Sequence, residues 1–132
     1  MNETKIQNQE EFFLPPEISS LLKDEHLFGR MNDATASSFL TGACGDAMEF
    51  YLVIENKRIT QIKYYTDGCG TTKACAAIAA SLAEGKTIEE ALHISAGEII
   101  GRIKGLPHNH LHCSILAVST LYRALADYLL QK

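Results

Sequence analysis

Side chains able to hold a soft metal or to accept sulfur recur at three separated points of this 132-residue sequence: Cys44-Gly45-Asp46, Gly68-Cys69-Gly70 and His112-Cys113. Each stands beside glycine or at the start of a helical pattern. His112-Cys113 follows the loop Gly105-Leu106-Pro107-His108-Asn109-His110-Leu111 and precedes a long apolar-periodic segment. An imidazole and a thiol therefore fall at a helix N-terminus, where unpaired N–H groups stabilise a thiolate and make Cys113 a better ligand and sulfur acceptor. Asp46 lies close enough to Cys44 to share an ion with it. Three thiolates plus one oxygen or nitrogen suit Zn²⁺ in a tetrahedron. They also suit an iron–sulfur cluster, although such clusters usually take four cysteines. A carboxylate is a weak ligand for a cluster, which is a defect in an electron carrier and an advantage where a cluster must leave. There is no C-x₂-C pair, so scattered core or loop cysteines are the competing reading.

The elements that must position these residues follow from periodicity. Pro15-Pro16 suits a helix start, and a helix is expected from Glu17 to about Leu27, with Ile18, Leu21 and Leu22 on one face and Gly29 as its stop. Asn32 to Ser38 reads as a loop, and Phe39-Leu40-Thr41 as a short strand into the Cys44 turn. Ala47 to Glu55 is the clearest strand, with Met48, Phe50, Leu52 and Ile54 alternating with Glu49, Tyr51, Val53 and Glu55. Asn56-Lys57 is the turn into a second long strand, Arg58 to Thr66, whose alternation slips around Gln61 and predicts a bulge or an edge position. Thr71 to Glu84 is an alanine-rich helix with Cys75, Ile78 and Leu82 in phase, stopped by Gly85. Thr87 and Ser95 each open a capping box, the first helix reaching Ile94 and the second about Lys104. The last helix runs from about Cys113 to Leu130, with Ile115, Val118, Tyr122, Leu125 and Leu129 along one face. Strands first and helices after predict an α+β fold: a small antiparallel sheet of about three strands, helices packed on one face, and a long C-terminal helix. The cysteine-bearing turns are expected to converge at one end of the sheet.

The totals exclude several classes. The length fits one domain, 1–132, with the polar stretch 1–14 expected to be flexible. A formal net charge of −4 carries no footprint for nucleic acid. No apolar run approaches the ~18–20 residues that span a bilayer. The polar, acidic start is not a secretory signal, so the expected location is cytoplasmic, where cysteines more often bind metal or react than pair.

The motifs Cys44-Gly45-Asp46 before a hairpin, Gly68-Cys69-Gly70 after it, Thr87-Ile88-Glu89-Glu90-Ala91-Leu92, and Leu111-His112-Cys113-Ser114 before a helix ending Ala126-Asp127-Tyr128 come in an order that resembles the IscU/NifU N-terminal family of iron–sulfur cluster assembly scaffolds. The likeness runs from roughly Gly29 to Tyr128. It implies that Cys44, Cys69 and Cys113 ligate a nascent, transient [2Fe–2S] cluster, with Asp46 or His112 completing the set. It implies that Cys113 receives persulfide sulfur from a cysteine desulfurase, that Asp46 keeps the cluster labile, and that apo iron–sulfur proteins accept it. The protein would then be a scaffold and not an enzyme. The related SufU proteins carry an insertion between the second and third cysteine regions, for which the closely spaced helices here leave no room. Two features depart from the family. Its chaperone-recognition loop reads Leu-Pro-Pro-Val-Lys, whereas Leu106-Pro107-His108-Asn109-His110 lacks the second proline and the lysine, which argues against a DnaK-type chaperone as partner. Its Asn-Pro-Arg-Asn segment is absent, with Lys23 to Arg30 in that place, which bears on how a desulfurase docks.

Other candidate residues have plain alternatives. Cys75 reads as a small core residue, or else as a fourth thiol near the cluster or a redox partner of Cys69. His108, His110 and His112 would point one way from an extended loop, as a second metal site or simply as a polar surface. His26 and His93 read as structural. Asp46 has a turn-capping alternative, Asp67 is a turn residue, and Lys73 either brings positive charge near Cys69 or is solvated. Two functions compete with the cluster scaffold. One is a zinc-binding sulfur acceptor that works without a cluster, and the other is a structural zinc domain.

Overall fold

The computed structural model describes residues 15–43, 45–103 and 110–131. Cys44, the 1–14 segment and the loop residues 104–109, on which some of the expectations above fall, lie outside the described residues. Three strands, β1 (Ala36–Thr41), β2 (Ala47–Glu55) and β3 (Arg58–Tyr65), form one antiparallel sheet in the order β1-β2-β3. Met48, Phe50, Leu52 and Ile54 of β2 are buried and their neighbours are half-buried or exposed, so the period-two pattern sets the inner face. β1 begins three residues earlier than expected, at Ala36, which pairs with Leu52. Its small polar residues hide the alternation, and pairing with the central strand imposes the extended form.

The β2–β3 connection is the two-residue turn Asn56-Lys57, with φ of 54° and 61°. Such turns match the twist of the flanking strands and favour asparagine at the first position. The expected irregularity near Gln61 is a bulge: Val53 pairs with Gln61 but Ile54 pairs with Ile59, leaving Thr60 unpaired. The Thr60 hydroxyl donates to the Val53 carbonyl at 3.2 Å, which replaces part of the lost ladder.

The helices are α1 (Pro16–Leu22), α2 (Gly70–Ala83), α3 (Ile88–Ala91), α4 (Ala96–Arg102) and α5 (Leu111–Leu129). α1 stops five residues short of the expected Leu27. The Asp24 carboxylate accepts the His26 N–H at 3.1 Å, a local turn that competes with helix. The chain then bridges to the sheet, with the Gly29 N–H donating to the Tyr64 carbonyl at 2.8 Å. α2 contacts α1, α5, α4, α3 and β3, and is buried nearly all round. Alanine suits that place because it lets neighbouring backbones approach closely. Thr87 and Glu90 form both legs of the predicted capping box, although α3 ends at Ala91 and not at Ile94. The Ser95 hydroxyl accepts from the Glu98 N–H at 3.1 Å and opens α4.

The buried face of α5 differs from the expected stripe. Val118 and Leu125 are buried, but Ile115 is 57% and Leu129 56% exposed. The inner arc carries Cys113, Ser114, Ala117, Leu121 and Ala124 as well. α5 packs on β1 and β2 and also on α2 and α4. A helix wedged between two layers buries a wide arc with small residues in it, and a search for large apolar residues at spacings of three and four passes over those.

Candidate metal and sulfur site

Three elements deliver the candidate ligands to one end of the sheet. Asp46 immediately precedes β2. Cys69 is the N-cap residue of α2, in extended backbone with φ −69° and ψ 174°. Cys113 lies in the first turn of α5, whose N-cap is His110. The turn before Asp46 closes through the Gly42 N–H on the Asp46 carbonyl at 2.7 Å and the Gly45 N–H on the Gly42 carbonyl at 3.1 Å, with Gly45 at φ +92°.

Thr66 fixes the second turn against the first. Its buried hydroxyl donates to the Ala47 carbonyl at 2.6 Å and accepts from the Gly68 N–H at 3.1 Å. The end of β3 is thereby tied to the start of β2, and Cys69 is held beside Asp46. Gly68 is needed there, because a Cβ would stand 2.8 Å from Asp46 Oδ2.

Thr72 stands at the centre. It is fully buried, and its hydroxyl donates to Asp46 Oδ2 at 2.6 Å. Its Oγ1 lies 3.5 Å from Cys69 Sγ and 3.4 Å from Cys113 Sγ. Cys113 Sγ is also 3.7 Å from His112 Nε2. Asp46, Cys69, His112 and Cys113 are therefore brought together, and Cys44 lies outside the described residues. Among the described residues no three His, Cys, Asp or Glu side chains are gathered closely enough to enclose an ion. The Thr72 hydroxyl occupies the ground between Asp46 and the two sulfurs. Thr66 and Thr72 were not singled out from the sequence. The available signal was Thr72 at three residues after Cys69 in a first helical turn, which puts both on one side.

Residues 15–132 match the family model for the NifU-like N terminal domain. The chain belongs to the NifU-like N-terminal domain family. An Archaeoglobus fulgidus protein named iron-sulfur cluster assembly scaffold protein IscU 1 is 40% identical over 101 residues, covering 76% of this chain and 66% of the relative. The chain thus spans just under two thirds of that relative's length. The Aquifex aeolicus scaffold protein IscU is 32% identical over 122 residues, covering 91% of this chain and 73% of that protein. Among solved structures, a Fervidobacterium islandicum protein described as a candidate iron-sulfur cluster assembly scaffold for the SUF system superposes with a TM-score of 0.71 at 21% identity, over 89% of this chain and 99% of that one. The NifU-like N-terminal protein of Brucella abortus gives 0.52 at 18% identity, over 88% and 84%. At these identities the likeness concerns the fold. A three-stranded antiparallel sheet with helices and a long C-terminal helix is the family's architecture, as expected.

The donor chemistry fits the family's cargo: two thiols, a carboxylate and an imidazole stand together, and the glycine at 68 leaves the carboxylate its room. Access to the two thiols differs. Cys69 is exposed, whereas Cys113 is 1% exposed. Cys75 is fully buried in the core, and burial, reinforced by negative charge at Cys113 and Cys69, pushes its thiol far above the usual range. The core reading of Cys75 is correct. Lys73 is half-exposed, and its Nζ sits 4.4 Å from the centre of the Phe28 ring. The helix begins at Leu111, so His110 and His112 are not on an extended loop. Their rings stack with centroids 6.3 Å apart. His93 Nδ1 bonds the Glu89 carbonyl oxygen at 2.9 Å, and His26 bridges Asp24 and Glu84, both structural roles.

Proposed function

We propose that this chain is a scaffold on which a labile [2Fe–2S] cluster is assembled and from which it passes to apo-proteins. The observation that carries the reading is the meeting of Asp46, Cys69 and Cys113, from three separate elements, around one buried hydroxyl. Relatives at 40% and 32% identity bear the scaffold name, which supports it. Cys44 is the third thiolate. Asp46 is the exchangeable ligand, because its oxygen bonds soft iron less firmly than sulfur does. His112 is close enough to Cys113 to replace it. The chain turns over no substrate of its own, and in that sense it is a scaffold and not an enzyme.

Sulfur arrives from a cysteine desulfurase. The Cys113 thiolate attacks the terminal sulfur of the desulfurase persulfide, a new S–S bond forms at Cys113, and the donor cysteine leaves as a thiolate. Reduction of that sulfur to sulfide takes two electrons from a reductant outside the chain. Cys113 must be uncovered for this step, given its burial, so desulfurase docking and opening of the α5 start belong to one event. The cytosol is the proposed compartment, since the thiols must stay reduced.

The test is anaerobic reconstitution with a cysteine desulfurase, cysteine and ferrous iron, with iron, acid-labile sulfide and zinc counted per chain. Equal iron and sulfide, lost in Cys44→Ser, Cys69→Ser and Cys113→Ser and retained longer in Asp46→Ala, is the expected result. Zinc that resists replacement, with desulfurase stimulation and no sulfide, would establish the zinc-binding sulfur acceptor in its place.

A further inference from the structure

We infer that Thr72 is a positioning residue that competes with the metal for Asp46, a hydroxyl latch that closes the ligand set when no metal is bound. The inference rests on the reading of Asp46, Cys69 and Cys113 as ligands and adds to it the group that opposes them.

A hydroxyl has one proton to donate and two lone pairs to accept with. Thr72 has a partner for each. The proton goes to Asp46 Oδ2 at 2.6 Å, and Cys69 Sγ and Cys113 Sγ stand at 3.5 and 3.4 Å on the accepting side. Thr72 and Cys113 are buried, Asp46 is half-buried and Cys69 is exposed, and a part-buried carboxylate oxygen left without a partner still costs free energy. The metal-free site is therefore satisfied as it stands. Glycine at 68 leaves this pair its room, since a Cβ there would stand 2.8 Å from Asp46 Oδ2 and 3.1 Å from Thr72 Cβ.

A bound ion needs ligand atoms at roughly 2.0–2.3 Å and takes the electron pairs of both sulfurs and of the carboxylate. Where the ion takes Asp46 through Oδ2, the oxygen that Thr72 holds, the contacts to Thr72 lengthen or break. Metal binding consequently forfeits a charge-assisted hydrogen bond that the empty site enjoys, and release restores it. A ligand set that closes on itself when empty gives up its cargo more readily than one left with unpaired groups. Thr72 thus acts in the same direction as the choice of aspartate at position 46, and by an independent means.

The test compares the wild-type chain with Thr72→Val, Thr72→Ala and Thr72→Ser, alone and in an Asp46→Asn background. Zn²⁺ is the probe, in anaerobic competition against a chromophoric chelator, and thermal unfolding is followed with and without saturating zinc. Thr72→Val and Thr72→Ala should bind zinc roughly tenfold tighter, the scale of one charge-assisted hydrogen bond. They should lower Tm in the metal-free form and leave the zinc-loaded Tm near that of the wild type. Thr72→Ser, which keeps the hydroxyl, should match the wild type, and with Asp46→Asn the affinity gain should shrink to within about twofold. Weaker zinc binding by the Val and Ala variants would overturn the inference, because Thr72 would then be orienting Asp46 for the metal. Unchanged affinity with equal loss of Tm in both forms would also overturn it and leave a packing role. Both of those outcomes keep the ligand reading. If the wild-type chain holds no zinc and no iron, the ligand reading falls, and the latch falls with it.

Discussion

At Gly68 an added side chain would press on the site itself. The Cβ of Gly68→Ala would lie 2.8 Å from Asp46 Oδ2 and 2.9 Å from its Cγ, so the carboxylate must shift against its 2.6 Å hydrogen bond from Thr72. The expected result is a stability loss of about 1–3 kcal/mol from overpacking, together with at least tenfold weaker zinc binding. Urea unfolding and a chelator competition measure the two effects, and wild-type affinity in a folded Gly68→Ala would show that Asp46 is no ligand. The described thiols are also distinguishable chemically. Cys69 is exposed, Cys113 is nearly covered, and Cys75 is buried with its thiol held protonated. Iodoacetamide on the folded metal-free chain should label Cys69 first and Cys113 slowly. Cys75 should react only on unfolding, as peptide mass spectrometry will report.

At the scale of the element, α5 offers a clean comparison. Ile115 is more than half exposed and Leu121 is fully buried, although both are large and apolar and both lie on the same helix. Leu121→Ala should cost about 2–5 kcal/mol and Ile115→Ala under about 1 kcal/mol. Similar losses at both sites would contradict the packing of α5 between the sheet and α2. A second element-level contact joins the turn after α1 to the end of α2. His26 lies 2.6 Å from Asp24 Oδ1 and 2.9 Å from Glu84 Oε2. Glu84 first, and then Asp24, raises the imidazole pKa above its ordinary value, and Asp24 is lowered in return by His26. A raised histidine pKa adds stability that is fully present below the unfolded-state value of about 6.5 and is lost as pH rises through the folded-state value. His26→Gln should therefore lower Tm at pH 6 and leave it little changed at pH 8.5. The effect will be small because the histidine is exposed. A variant that loses as much at pH 8.5 as at pH 6 would assign His26 to packing.

Across the whole molecule, the core reaches the ligands only at Cys113, and Asp46 and Cys69 lie outside it. Phe50, Leu52, Ile59, Ile62, Tyr64, Ile78, Ile99, Leu121 and Leu125 are buried in one cluster from the sheet, α2, α4 and α5. Apolar burial on this scale holds the chain together without metal. Removal of metal with a chelator should therefore lower Tm while far-ultraviolet circular dichroism stays native at 25 °C. Loss of helical signal on chelation would favour a structural zinc domain, in which the metal supplies the folding energy. No helix among the described residues is long and apolar enough to cross a membrane.

The sequence by itself determined the strands and most of the helices, because their signals are local. The alternation in Ala47–Glu55, the Asn56-Lys57 turn, the Thr87–Glu90 capping box and the apolar phase of α2 each act within a few residues. It also determined the family, and with it the candidate ligands Cys44, Asp46, Cys69, His112 and Cys113, since their types and order survive in one dimension. The early end of α1, the early start of β1 and the true inner face of α5 escaped it, since an Asp24 turn, a partner strand and two packing layers decide them. The tertiary structure alone decided that Thr72 stands among Asp46, Cys69 and Cys113. Threonine at position 72 is marked in the sequence only by its place three residues after Cys69, which says nothing of Asp46 or Cys113. Its hydroxyl acquires a role only because Thr66 ties two turns together and α5 brings Cys113 to within 3.4 Å of it.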